Sequence, residues 1–150
     1  MLDRVLPRTL LALSKTYEKA ALAQLHSDGH DAIRLSHFAV FSYIGTGTVR
    51  VSELADRTQQ TQQGMGKTLR ELEILGYIER AIDSTDRRAK AIKLTEGGLK
   101  VANSIAKSYT KLKKQHAKQI GQDNMDSLCR VLDEIVAEAK IDTPAPFWSK

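Results

Sequence analysis

Residues 61–76 place side chains able to read a nucleic acid along one side of a short helix. Met65, Leu69 and Leu72 recur at helical spacing with Thr68 and Leu75 flanking them, while Gln63, Lys67 and Arg70 fall on the opposite side with Gln62 and Gly66 at its edge. Gln can bond an adenine edge through two hydrogen bonds, and Lys and Arg can reach guanine or phosphate. This acid-free face therefore has the chemistry for a major groove. Thr61 suits the N-cap, because its hydroxyl can accept a first-turn N–H, and Leu75-Gly76 supplies the stop. An ordinary amphipathic surface helix carries the same pattern, so the face alone does not decide between the two.

A second group of cations lies further along the chain. Tyr77 to Ile82 and Ala89 to Leu94 are β-prone runs with Ile78, Ile82, Ile92 and Leu94 as apolar anchors, separated by the polar turn Asp83-Ser84-Thr85-Asp86-Arg87-Arg88. Arg87 and Arg88 thus sit at the tip of a ribbon, where an arginine can enter a narrow minor groove, and Asp86 is placed to orient Arg88. A solvated turn with a weak surface ion pair fits the same residues.

The order of the pieces carries the specificity. Ser52-Glu53-Leu54-Ala55 opens a first helix; Leu72-Glu73 and Leu75-Gly76-Tyr77-Ile78-Glu79-Arg80 close the second and start the ribbon; Asp86-Arg87-Arg88-Ala89 and Leu94-Thr95-Glu96-Gly97-Gly98 complete it. This succession, from Val51 through Gly98, resembles the winged helix-turn-helix of the MarR family of bacterial transcriptional regulators. The resemblance implies a homodimeric regulator, with the helix from Thr61 in the major groove and the wing arginines in the minor groove. Two departures stand out. Gly64 and Gly66 lie inside the reading helix, at about 1 kcal/mol each relative to alanine. Thr58 and Gln60 replace the family's apolar turn residues, so the stretch TQQTQQ is expected to hold an atypical turn.

The elements that must position these groups can be read on either side. Pro7 to His26 reads as a helix with the stripe Leu6, Leu10, Leu13, Tyr17, Ala20 and Ala21, broken at Ser27-Asp28-Gly29. A second helix is expected after Ser36 with Phe38, Phe41 and Ile44 inward, and Thr48 to Val51 can add a strand to the wing. Thr95 can cap a helix to Ile120, with Val101, Ile105, Tyr109, Leu112 and Ile120 on one stripe, ended by Gly121. Asp123 can cap a last helix with Leu128, Leu132, Ile135, Val136 and Ala139 inward, closing before Thr143-Pro144-Ala145-Pro146. The expected fold is mainly α, an α+β winged helix-turn-helix in a single domain, 1–150, whose DNA-binding lobe spans 36–98. Residues 1–30 and 99–145 carry more apolar surface than so small a lobe covers, and the resemblance makes them dimerisation helices. A two-fold dimer presents two reading helices about 34–36 Å apart and so reads a pseudo-palindrome.

A chain of 150 residues, 41% hydrophobic and 27% charged, suits one soluble globular domain. No apolar run approaches the roughly 20 residues of a membrane span, the first residues lack a signal peptide's apolar core, and a cytoplasmic location is expected. The lone Cys129 excludes an internal disulfide framework and reads as a buried, inert thiol. Net charge is +5, from 23 basic and 18 acidic residues, and residues 51–100 hold 9 basic and 8 acidic. The case for a polyanion partner therefore rests on where the charges sit rather than on their number.

Other chemistries find little support. His26, His30, His37 and His116 show no spacing that brings three or four zinc ligands together, and no metal or other cofactor is expected. There is no phosphate loop, nucleophile elbow or zinc-protease helix, so no catalysis is expected. Lys111, Lys113, Lys114 and Lys118 read as a solvated helix face. By resemblance, a small lipophilic or aromatic acid binds between the dimerisation helices and the lobe, where Tyr17, Arg34, His37, Phe38, Phe41 and Tyr109 can line a crevice; the same aromatics also fit a plain core. The competing function is a winged-helix dimer that serves as a protein-interaction module without reading DNA sequence.

Overall fold

A computed structural model describes residues 5–45, 47–82 and 90–141. Among them the chain runs α1 (Leu6–Ser27), α2 (Leu35–Ile44), β1 (Thr48–Arg50), α3 (Val51–Arg57), α4 (Gln62–Ile74), β2 (Ile78–Ile82), β3 (Lys90–Leu94), α5 (Glu96–Ile120) and α6 (Gln122–Glu138). The strands form one antiparallel sheet in the order β1-β3-β2, with Val49 opposite Ile92 and Ile78 opposite Leu94. The expected residues 83–89 of the wing tip, and Thr143 to Pro146 of the tail, lie outside the described residues.

Local chemistry fixes the helix ends. Thr61 and Thr95 cap α4 and α5, their hydroxyls accepting the N–H of Gly64 at 3.0 Å and of Gly98 at 3.1 Å. Helices α1 and α4 close alike: the residue after the cap is glycine in the left-handed region, Gly29 at φ +91° and Gly76 at φ +77°. In each, the next residue returns its N–H to the last turn, His30 to Leu25 and Tyr77 to Leu72, both at 2.9 Å. Helix α3 closes the same way without glycine. Gln59 takes φ +54° and Gln60 donates to the Ala55 carbonyl at 3.0 Å, so the unusual TQQTQQ stretch is a glycine-free version of the same stop.

Several expectations are corrected. Helix α2 begins at Leu35 rather than after Ser36, because the His37 side chain folds back and its Nδ1 accepts the Arg34 N–H at 3.2 Å. Gly121, not Asp123, stands at the N-cap of α6, and Asp123 lies in its first turn. Ile82 does not anchor the ribbon inward: at 77% exposure it has run past the core onto the wing. Cys129 is half-buried rather than buried. The other three histidines each meet a different partner. His26 Nε2–H donates to the Ile33 carbonyl at 2.9 Å, His30 Nδ1 lies 2.8 Å from the Tyr77 hydroxyl, and His116 Nδ1 lies 3.1 Å from the Tyr17 hydroxyl.

The core joins Leu25 of α1, Phe38 and Phe41 of α2, Leu54 of α3, Met65, Leu69 and Leu72 of α4, Ile92 of β3, and Val101 and Ile105 of α5. The terminal helices behave differently. Leu6, Leu10 and Leu13 of α1, Ile120 of α5, and Leu128, Val131 and Ile135 of α6 are exposed, so these stripes are not inward within one chain; in α6 only Met125 is buried. No helix among the described residues is long and apolar enough to cross a membrane.

One junction ties the lobe to α5. Thr95 donates its hydroxyl to the Gly76 carbonyl at 2.6 Å and its N–H to the Tyr77 carbonyl at 3.1 Å, drawing the start of α5 onto the end of α4. A side chain at Gly98 would collide with the Tyr77 carbonyl, whereas one at Gly97 would meet nothing nearer than 3.6 Å. Gly98→Ala is therefore expected to destabilise the protein by about 1–3 kcal/mol or more, and Gly97→Ala to change it by less than about 1 kcal/mol, compared by urea unfolding.

Candidate nucleic-acid interface

The outer side of α4 is acid-free because of how the helix is held. Its two carboxylates both turn away from that side. Glu71 Oε2 lies 3.0 Å from the Arg34 guanidinium and 3.2 Å from Nε2 of His37, which is fully buried. Since His37 Nδ1 already accepts the Arg34 N–H, the neutral ring carries its proton on Nε2 and donates it to Glu71. That hydrogen bond, helped by Arg34 and Lys67 nearby, holds the Glu71 carboxyl below the ordinary carboxylate range. Glu73 is gripped from the other side by Arg80 of β2, with Nε to Oε1 at 3.1 Å and Nη2 to Oε2 at 2.9 Å.

With its acids engaged and Met65, Leu69 and Leu72 buried, α4 turns Gln62, Gln63, Lys67 and Arg70 to solvent. Gln62, Gln63, Gly66 and Arg70 line a cleft of about 530 Å³, completed by Arg50, Ser52, Arg80 and Lys90. Among the described residues, four cations and no carboxylate line it. Lys67 is exposed just outside, and Thr61 serves as the cap, its hydroxyl proton still available to a further acceptor. Asp86, Arg87 and Arg88 lie outside the described residues. Arg50, Arg80 and Lys90 were not among the residues singled out from the sequence: they reach the cleft through strand pairing, which sets Arg50 opposite Ala91, Arg80 opposite Ile92 and Lys90 opposite Ile82.

The residues considered for a small-molecule crevice separate into three places. His37, Phe38 and Phe41 are buried in the core, and Arg34 is exposed on Glu71. Tyr17 and Tyr109 meet edge to face at 6.0 Å between α1 and α5, with His116 at 5.6 Å from Tyr17. Burial raises both phenols above their ordinary range, Tyr109 to about 12 with a smaller contribution from Glu18. No group of three or more metal-ligating side chains is clustered among the described residues.

Comparison with known proteins agrees with this geometry. Residues 33–89, which hold α2 to α4, β1 and β2, match the model of the MarR family. Over that lobe the chain is similar to the MarR family. The fold of MarR-family structures extends over nearly the whole chain: wild-type MarR from E. coli in its apo form superposes with a TM-score of 0.71 at 18% identity, covering 91% of this chain and 99% of that one. Transcriptional regulator PA4135 gives 0.70 at 21% identity, covering 93% and 99%. A MepR variant from S. aureus, solved bound to an oligodeoxyribonucleotide, gives 0.58 at 18% identity, covering 91% and 99%. No curated protein sequence matches.

The anchoring of α4 can be tested at two positions. Glu71 has a lowered folded-state pKa, so its contribution is fully present above the unfolded-state carboxylate value and is lost as pH falls through the lowered one. Urea unfolding between about pH 6 and about pH 3 should show Glu71→Gln losing less stability on acidification than the parent; parallel curves would contradict the contact. Gly66 is a helical residue whose added side chain would meet nothing within 4 Å, whereas one at Gly64 would press on the Thr61 hydroxyl at 3.1 Å. Folding therefore does not require glycine at 66, and the residue faces the cleft. Gly66→Ala should raise stability by about 1 kcal/mol in thermal melts while weakening DNA binding, because the new methyl stands where a backbone would approach. Unchanged DNA affinity would show that nothing comes that close.

Proposed function

We propose that this protein is a sequence-specific DNA-binding transcriptional regulator, a repressor that acts as a homodimer on a pseudo-palindromic operator and is released by a small-molecule effector. The observation that carries the reading is the cleft of Arg50, Arg70, Arg80 and Lys90 beside Gln62 and Gln63: cations suited to phosphates, next to amides suited to base edges. Arg87 and Arg88 extend it to the minor groove on the strength of the sequence alone. A MepR variant that shares this fold was solved bound to an oligodeoxyribonucleotide, which supports DNA as the class of ligand.

The homodimer is supported by the exposed apolar stripes of α1 and α6, which lie on the two helices at the ends of the chain. Burying them against a second copy would hold two α4 helices at a fixed spacing, and a rigid pair of reading helices selects a rigid pair of half-sites. An effector has a foothold at the half-buried Tyr17 and Tyr109, between α1 and α5. A lipophilic or aromatic acid lodged there would alter how the lobe sits on the dimerisation helices, and coupling is reciprocal: an effector that loosens DNA must bind more weakly to the DNA complex. The protein, on this reading, is a regulator and not an enzyme, and DNA and a second copy of itself are its partners.

Fluorescence anisotropy against the DNA upstream of its own gene and a random duplex of equal length, across a salt series, tests this. Preferential binding should appear, with log affinity falling linearly in log salt at a slope near −0.9 per phosphate contacted. Gln63→Ala should cost about 1–3 kcal/mol on the preferred sequence and little on the random one. Binding that is indifferent to salt, together with retention of a protein partner, would instead favour the protein-interaction module.

A further inference from the structure

A groove of about 680 Å³ runs along α5, and none of its lining residues belongs to the DNA-facing cleft, so a ligand in it is independent of the proposed function. Lys107, Lys111, Lys114 and Lys118 line it together with Thr110 and Gln115. The lysines are spaced by four, three and four residues and form one row about 16 Å long at 1.5 Å per residue.

The row is longer than any other run of like charge on the described helices, where like charges four apart come in twos, as Lys15 with Lys19 and Glu134 with Glu138. Opposite charges four apart on a helix are paired at Glu53 with Arg57 at 2.9 Å, Glu96 with Lys100 at 2.8 Å, and Glu134 with Arg130 at 2.8 Å. In the groove the same spacings hold lysine beside lysine, which disfavours the helix by repulsion. None of the four pairs with a carboxylate among the described residues. An anion that spans the row would relieve this repulsion.

Its position separates it from the DNA-facing cleft. The start of α5 is pinned by Thr95 to the Gly76 carbonyl, beyond the C-terminal end of α4, whereas Gln62, Gln63 and Gly66 line the cleft at the N-terminal end. From there α5 packs along α1, with Ser104 donating to Asp28 at 3.0 Å, and the lysine row begins a further turn on.

The geometry points to a binding site for a free linear oligophosphate. A single small anion meets one or two of these ammonium groups, whereas a chain of phosphates presents charge at every unit along the row. The Thr110 hydroxyl and Gln115 amide add neutral donors for phosphate oxygens. The lysines supply point charges on flexible stems, which suits a ligand recognised by charge density rather than by shape.

Isothermal titration of the full chain with sodium tripolyphosphate at low ionic strength, with orthophosphate as the single-anion comparison, tests the site. Tripolyphosphate should bind and orthophosphate should not displace it. The surface variant K111Q/K114Q should weaken it by roughly three- to thirtyfold, the sum of two exposed charge contacts, whereas R70Q, in the DNA-facing cleft, should leave it unchanged. No binding, an unchanged affinity in K111Q/K114Q, or a loss that tracks R70Q instead would each overturn the site. So would sedimentation equilibrium showing that K111Q/K114Q loosens self-association while tripolyphosphate has no effect, since the groove would then seat the acidic α6 of a second copy.

Discussion

Helix α4 is held by its own carboxylates. Glu71 reaches inward to the buried His37 and to Arg34, Glu73 reaches across to Arg80, and Met65, Leu69 and Leu72 close the remaining side against the core. The constraint is one of charge as much as of packing. A helix that lies against phosphates, as proposed for α4, is disfavoured by carboxylates on its outer side, and a helix without carboxylates loses directional anchors. Here the acids serve as anchors on one side, so the opposite side is left with Gln63, Lys67 and Arg70. The arginine that grips Glu73 also lines the cleft, so one ion pair links β2 to α4 beside it.

Much of this was legible in the sequence because caps and stops are local chemistry. Thr61, Thr95 and Gly76 announce helix ends through bonds made within three or four residues, and the apolar side of α4 follows from spacing alone. What could not be read depends on distant partners. His37 looks like any histidine until α2 and α4 are packed, when its two ring nitrogens are found joining Arg34 to a carboxylate 34 positions away. Arg50 and Lys90 gain meaning only from strand register. Ile82 misled for a related reason: alternation places it on the same face as Ile78, but the core ends before the strand does.

The terminal helices give the complementary lesson. Periodicity identified their apolar stripes, yet periodicity cannot say whether a stripe meets its own chain or another. In α5 the stripe is divided, with Val101 and Ile105 buried beneath the lobe and Ile120 exposed at the far end. Helix α6 exposes Leu128, Val131 and Ile135 together. Surface of this kind is what a two-fold partner would cover, and the short Thr95 to Gly98 junction is what would carry its geometry to the reading helix.

Hydroxyl-radical footprinting of the full chain on its preferred duplex tests the symmetric reading of DNA most directly. Two α4 helices held by one dimer should protect two windows centred about 10–10.5 base pairs apart, or a multiple of that, related by a two-fold axis in the sequence. A single window, or uniform weak protection along the duplex, would contradict the claim that this fold reads DNA as a symmetric pair.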